Sequence, residues 1–157
     1  MLVVLSVSTS HGETVESEPA SAHENAHDVH KNWAALFIGV TSEERRNGKP
    51  ALGLEYARHL RPSFAIGGIV EYTFGDHSFW VLAVPFAYRS GPWKFYIAPG
   101  FEIEKIVAGP SESELLLRMG GEYAFEVGKL EIAPQLDVDF VDGDQVFILG
   151  VTIGTSF

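Results

Sequence analysis

The chain has 157 residues, no cysteine and a formal net charge of −10 at pH 7. Without cysteine there is neither a disulfide framework nor a thiolate metal site, and without a basic patch to neutralise phosphates the chain is not built for nucleic acid. Sixteen glycines and 12% aromatic residues make a strand-and-turn composition. No apolar run approaches the ~18 residues of a membrane-spanning helix, but a membrane barrel spreads its signal over short alternating segments and stays open.

Residues 1–10 (MLVVLSVSTS) have the apolar stretch and small residues, Ser8 and Ser10, of a secretory signal. The positive segment that should precede them is missing, since no Lys or Arg occurs before Lys31, so a truncated signal peptide is expected. Residues 11–31 are rich in Glu, Ser and His and poor in large apolar side chains, which predicts a flexible periplasmic segment. Within it His23, His27 and His30 fall at i, i+4 and i+7, one face of a helix if a helix forms. Such a face can hold Zn²⁺ or Ni²⁺ through imidazole nitrogens. The stronger expectation is a tail without a metal role.

From Asn32 onward a period of two takes over, the mark of β-strands. The first strand, Asn32–Thr41, alternates least cleanly and is followed by a polar loop, Ser42–Lys49. The second, Pro50–His59, sends Leu52, Leu54 and Tyr56 one way and Ala51, Gly53, Glu55 and Ala57 the other, then turns at Leu60–Ser63 through Pro62. The third sets Phe64, Ile66, Val70 and Tyr72 against Ala65, Gly67, Ile69 and Glu71, with a turn at Gly75–Ser78. The fourth sets Trp80, Leu82, Val84, Phe86 and Tyr88 against Val81, Ala83, Pro85, Ala87 and Arg89, and Ser90-Gly91-Pro92 follows. The fifth sets Trp93, Phe95, Ile97, Phe101 and Ile103 against Lys94, Tyr96, Ala98, Gly100, Glu102 and Glu104. After a loop, Lys105–Ser113, the sixth opposes Leu115, Leu117, Met119, Tyr123 and Phe125 to Leu116, Arg118, Gly120, Glu122 and Ala124. The turn Glu126-Val127-Gly128 leads to the seventh, with Leu130, Ile132, Leu136, Val138 and Phe140 against Lys129, Glu131, Ala133, Gln135, Asp137 and Asp139. The eighth runs from Gln145 to the last residue, Phe157, with Phe147, Leu149, Val151 and Ile153 on one face and Val146, Ile148, Gly150 and Thr152 on the other. Two short similarities recur: YIAPGFEIE at Tyr96–Glu104 with EIAPQLDVD at Glu131–Asp139, and a G-x-E-Y core at Gly53–Tyr56 and Gly120–Tyr123. They suggest hairpin duplication within one barrel.

A long hydrophobic strand left as a free edge is an aggregation hazard, and closing the sheet removes it. The fold expected is an all-β, eight-stranded antiparallel up-and-down transmembrane β-barrel over residues 32–157. A soluble, lipocalin-like barrel would put the large apolar face inside and leave a surface of Gly, Ala and scattered charges. That set suits a cramped interior better. The large set carries almost no charge in mid-strand, and its aromatics gather near strand ends. Phe64, Tyr88, Trp93, Phe125 and Phe157 mark one rim, and Tyr72, Phe74, Trp80, Phe140 and Phe147 the other, as in the girdles of membrane barrels.

On these alternating strands, short turns and terminal Phe157, residues 32–157 resemble the small eight-stranded outer-membrane β-barrels of Gram-negative bacteria, the OmpA/OmpX-like group. The resemblance implies the bacterial outer membrane as location and outer-membrane lipid as partner. It also implies that the C-terminal strand, ending at Phe157, is read by the barrel-assembly machinery. It says nothing of oligomeric state, implies no cofactor, and identifies an architecture, not an activity. The loops are short for the group, which weighs against adhesion and receptor roles.

The expected interior sets Glu55, Glu71, Glu102, Glu104, Glu122, Glu131, Asp137 and Asp139 against Arg89, Lys94, Arg118 and Lys129. Arg118 lies mid-strand and needs acceptors for its fork of donors, from among Glu55, Glu71, Glu102, Glu122 and Asp137. The network is expected to plug the core; the competing reading is an acid-lined path for cations or small polar solutes. Pro85 and Pro99 each remove a ladder donor on adjacent strands, giving either local curvature or a lateral gap toward lipid. The function expected is a non-catalytic outer-membrane barrel with a structural, limited transport or ligand-binding role. The alternative is a lipid A-modifying acyl enzyme using Asp76, His77 and Ser78, residue types found together in catalysis and equally in ordinary turns.

Overall fold

The computed structural model describes residues 31–43, 48–75, 78–104 and 112–157. The period-two stretches form ten strand segments: β1 Asn32–Glu43, β2 Lys49–Arg61, β3 Phe64–Thr73, β4 Phe79–Ala83, β5 Phe86–Ser90, β6 Trp93–Glu104, β7 Glu112–Tyr123, β8 Phe125–Val127, β9 Leu130–Val141 and β10 Asp144–Ser156. Neighbours pair antiparallel throughout, and β10 pairs with both β9 and β1, so the sheet closes. β4 and β5 pair successively along β3 and β6 as one stave. β8 continues β7 along β9 in the same way. The result is an eight-stave barrel.

The seam is complete. β1 and β10 pair from Trp33↔Ser156 to Glu43↔Val146, and Asn32 and Phe157 exchange backbone hydrogen bonds of 3.1 and 2.9 Å just beyond the ladder. The terminal strand therefore has a partner on each side, and its edge is gone.

Two details depart from the sequence expectation. The fourth strand is interrupted at Val84 and Pro85, where proline supplies no N–H. The wall holds there, because Val84 N–H donates to the Pro99 carbonyl at 2.9 Å and Gly67 N–H to the Pro85 carbonyl at 3.1 Å. Pairing continues on both sides, at Ala83↔Gly100 and Phe86↔Ile97, so the prolines interrupt the ladder without breaking the backbone pairing of the wall. The second strand also runs past His59 into the expected turn. A bulge lets His59 pair with Ala65 and Arg61 with Phe64, leaving Leu60 as the extra residue. Because cross-strand partners share a face, the bulge turns Arg61 to the outer side with Phe64.

One end of the barrel has tight turns and both ends of the described chain. Gly91 (φ 59°) and Gly128 (φ 67°) occupy turn positions there that disfavour a Cβ. At the other end Asp142 (φ 46°) and Gly143 (φ 90°) make the Asp-Gly turn between β9 and β10. In outer-membrane barrels the short-turn end faces the periplasm.

The faces divide as the alternation requires. Leu54 is 64% exposed and Leu149 65%, while Glu71 (1%), Arg118 (0%) and Asp137 (0%) are sealed inside. That is the inverse of a soluble barrel, and only lipid makes it favourable. The rims carry aromatic contacts: Phe64 with Tyr88, and Tyr123 with Trp93 and Phe125, at the tight-turn end, Tyr72 with Phe74 and Trp80 at the other.

Candidate functional site

The candidate site is the barrel interior, where small residues make room for a few large side chains. A Cβ on Gly120 would strike Tyr96 and Asp137, one on Gly154 would strike the Trp33 indole, and one on Gly39 or Gly150 would strike the Phe37 ring. These glycines are therefore the seats of three interior aromatics, Tyr96, Trp33 and Phe37. Gly39 and Gly150 are direct partners across the seam, so Phe37 lies over a pair of them.

Arg118 on β7 is clamped from two directions. Nε and Nη2 donate to the Asp139 carboxylate on neighbouring β9 at 2.7 and 2.8 Å. Nη1 and Nη2 donate across the lumen to Glu71 on β3 at 2.8 and 3.2 Å. Two bidentate carboxylates take four of about five guanidinium N–H donors and span the barrel. On the side toward the Asp142–Gly143 turn, the interior is apolar: Phe37, Ala51, Val146 and Ile148 form one cluster, and Val81, Leu116 and Val141 belong to another.

Toward the tight-turn end the interior is polar. Lys94 Nζ lies 2.6 Å from Glu122 and 3.7 Å from Glu55, and 4.2 Å from the Trp33 ring centroid. The two glutamates are those of the repeated G-x-E-Y cores, so the sequence similarity ends in two carboxylates on one ammonium. Asp137 accepts from the Tyr96 hydroxyl at 2.6 Å and from the Gln135 amide at 2.7 Å, both neutral donors. Nearer the rim Arg89 holds both Glu131 oxygens at 2.7 Å. A cavity of about 30 Å³ remains beside Trp33, His59, Arg89 and Lys94, room for about two waters.

Arg118 therefore takes one partner expected from the sequence, Glu71, and one that was not, Asp139. Glu55 and Glu122 serve Lys94 instead, and Asp137 serves Tyr96 and Gln135. Glu102 lies along β6 beyond Gly100, paired in register with Val81 and Glu114. Ser78 is half-buried just before β4, while Asp76 and His77 lie outside the described residues. So do His23, His27 and His30; among the described residues no group of three or more metal-ligating side chains forms. Phe157 is 57% exposed at the seam.

No protein-family model matches the sequence, and no curated protein matches it either. Solved structures do. Ail, the attachment invasion locus protein of Yersinia pestis, is 13% identical with a TM-score of 0.55, over 80% of this chain and 96% of Ail. The N-terminal β-barrel domain of Pseudomonas aeruginosa OprF is 10% identical with a TM-score of 0.52, over 81% and 98%. A designed transmembrane β-barrel is 11% identical with a TM-score of 0.54, over 80% and 96%. The fold is that of the small eight-stranded outer-membrane β-barrels. The apolar exterior and aromatic rims agree with it, and so does the outer-membrane location that the sequence implies.

Proposed function

We propose that the chain is a non-catalytic outer-membrane barrel with a plugged interior, a structural element of the membrane with at most limited passage of small cations. One observation carries this reading: Arg118 is wholly buried and tied to carboxylates on both sides of the lumen. Eight staves leave a bore that side chains can fill, and here an ionic bridge fills the middle and apolar side chains the end beyond it. Any leak would favour cations, because Glu55, Glu71, Glu122, Glu131, Asp137 and Asp139 outnumber Arg89, Lys94 and Arg118 inside. Residues 1–10 fit an export signal and Phe157 an assembly signal, and the flexible, non-metal role of residues 11–31 stays part of the same reading.

The test is the full chain in planar bilayers. No steady channel is expected, or only small cation-preferring currents; large or anion-selective channels overturn the plug. The catalytic alternative is tested separately by substituting His77 and Ser78 in cells. An unchanged lipid A profile is expected, and a lost or gained acyl chain would establish the enzyme instead.

A further inference from the structure

The outer wall is uneven beside Tyr56. At the level of Tyr56, the lipid-facing row across β10, β1, β2 and β3 reads Thr155, Ala34, Tyr56 and Gly68, by direct pairing of each with the next. Three of these four side chains are small. Leu36, Leu54, Val70 and Ile153 stand around them, and the wall sinks into a shallow hollow of about 570 Å³. A Cβ on Gly68 would meet nothing within 4 Å, so the space beside it is open.

Basic side chains border this hollow on the tight-turn side. Arg58 stands one outward position beyond Tyr56 on β2, a step of about 7 Å along a strand. Arg61 is brought to the outer face by the bulge. Both are exposed, and among the described residues neither forms an ion pair. Tyr56 donates to Asn32 at 2.9 Å, the placing of a tyrosine whose ring lies in hydrocarbon and whose hydroxyl reaches the polar layer.

Among the described residues the opposite rim exposes Glu112, Glu114, Asp142 and Asp144. The basic arc is thus a local feature of one rim of an acidic protein. We propose that the hollow and the basic arc of Arg58 and Arg61 form a binding site for an anionic glycerophospholipid of the inner leaflet. One acyl chain lies over Ala34 and Gly68, and the phosphate sits against Arg58 and Arg61. Charge complementarity selects the headgroup, and the hollow fixes where the chain lies.

The full chain, refolded in detergent, is titrated with phosphatidylglycerol and with phosphatidylcholine of the same acyl chains, and retained lipid is read by native mass spectrometry. Phosphatidylglycerol is expected to be retained preferentially. The Arg58→Gln and Arg61→Gln double variant should lose about fivefold per charge removed, falling toward the phosphatidylcholine level. Gly68→Leu fills open space and should weaken retention while the arc stays intact. Heat-modifiable gel migration verifies that each variant is folded, and Gly68→Ala supplies a milder filling if the leucine does not fold. Equal retention of the two lipids by the wild type overturns the proposal. So does unchanged retention in the arginine variant or in the hollow-filling variants. Competition by glycerol phosphate as strong as by the lipid would show a free-anion site and overturn it as well.

Discussion

Arg118 and Asp139 are direct cross-strand partners on β7 and β9, and two N–H donors of the guanidinium reach the two carboxylate oxygens at 2.7 and 2.8 Å. The pair needs no long-range folding beyond one hairpin. Glu71, on β3, reaches the same guanidinium only when the barrel has closed. The clamp thus joins a locally formed contact to a global one, and its completion reports closure.

Arg118→Leu should be strongly destabilising, by about 3–5 kcal/mol, because it leaves Glu71 and Asp139 buried and uncompensated. Replacing all three by leucine should cost less than the single change, since removing every charge also removes the desolvation penalty. Urea unfolding in lipid vesicles measures both. A triple variant less stable than Arg118→Leu would mean that packing at these positions, not charge compensation, controls stability.

The glycine seats predict a second asymmetry. Gly120 faces Tyr96 directly across β6 and β7, and a Cβ there meets only side-chain atoms of Tyr96 and Asp137. Gly120→Ala should cost about 1–3 kcal/mol by overpacking. In a Tyr96→Leu background the same change should cost less, as the ring is gone. Equal costs in the two backgrounds would show that the Tyr96 ring is not what requires a glycine, leaving the Asp137 carboxylate, the nearest atom to that Cβ, or the backbone itself.

Most of the barrel was legible in the chain because period two is absolute: a residue's parity assigns its face, and in a membrane barrel the two faces differ sharply in chemistry. Glu55, Glu71, Arg118 and Glu122 were placed inside on parity alone. Their partners were not legible in the same way. Taking Glu126-Val127-Gly128 as the turn centres the hairpin too early, whereas the observed turn has Gly128 and Lys129 at its tip, and counting from there pairs Arg118 with Asp139. A turn misplaced by one or two residues keeps the strands and loses the pairing. Glu71 is a different case. Which residue meets Arg118 across the lumen depends on the stagger of the whole barrel, and nothing local encodes that. The bulge at Leu60 was hidden for a related reason, since Pro62 marks a turn without saying that Arg61 changes face before it.

The assignment of faces gives the third prediction. Leu54 lies near the middle of β2 on the outer face. Leu54→Arg should destabilise the barrel in vesicles by about 2–4 kcal/mol, the cost of a basic side chain at mid-bilayer. Leu60→Arg, on the same strand at the tight-turn rim and equally exposed at 64%, should cost at most about 1 kcal/mol. Similar costs at both positions would contradict the membrane depth assigned to them.

Phe157 supplies the last. Its backbone closes the seam with Asn32, while its ring lies exposed on the outer rim. Side chain and backbone can therefore be tested apart. Phe157→Ala keeps both seam hydrogen bonds, so spontaneous folding into vesicles should proceed near the wild-type yield. Deleting Phe157 removes those bonds and should lower the stability of the closed barrel. If Phe157 is the assembly signal proposed above, Phe157→Ala should reduce the folded population in the outer membrane of cells even though it folds in vesicles. A variant that assembles normally in cells would remove the signalling role and leave the ring as a rim anchor. One that fails equally in vesicles would show that the ring is needed for the barrel itself.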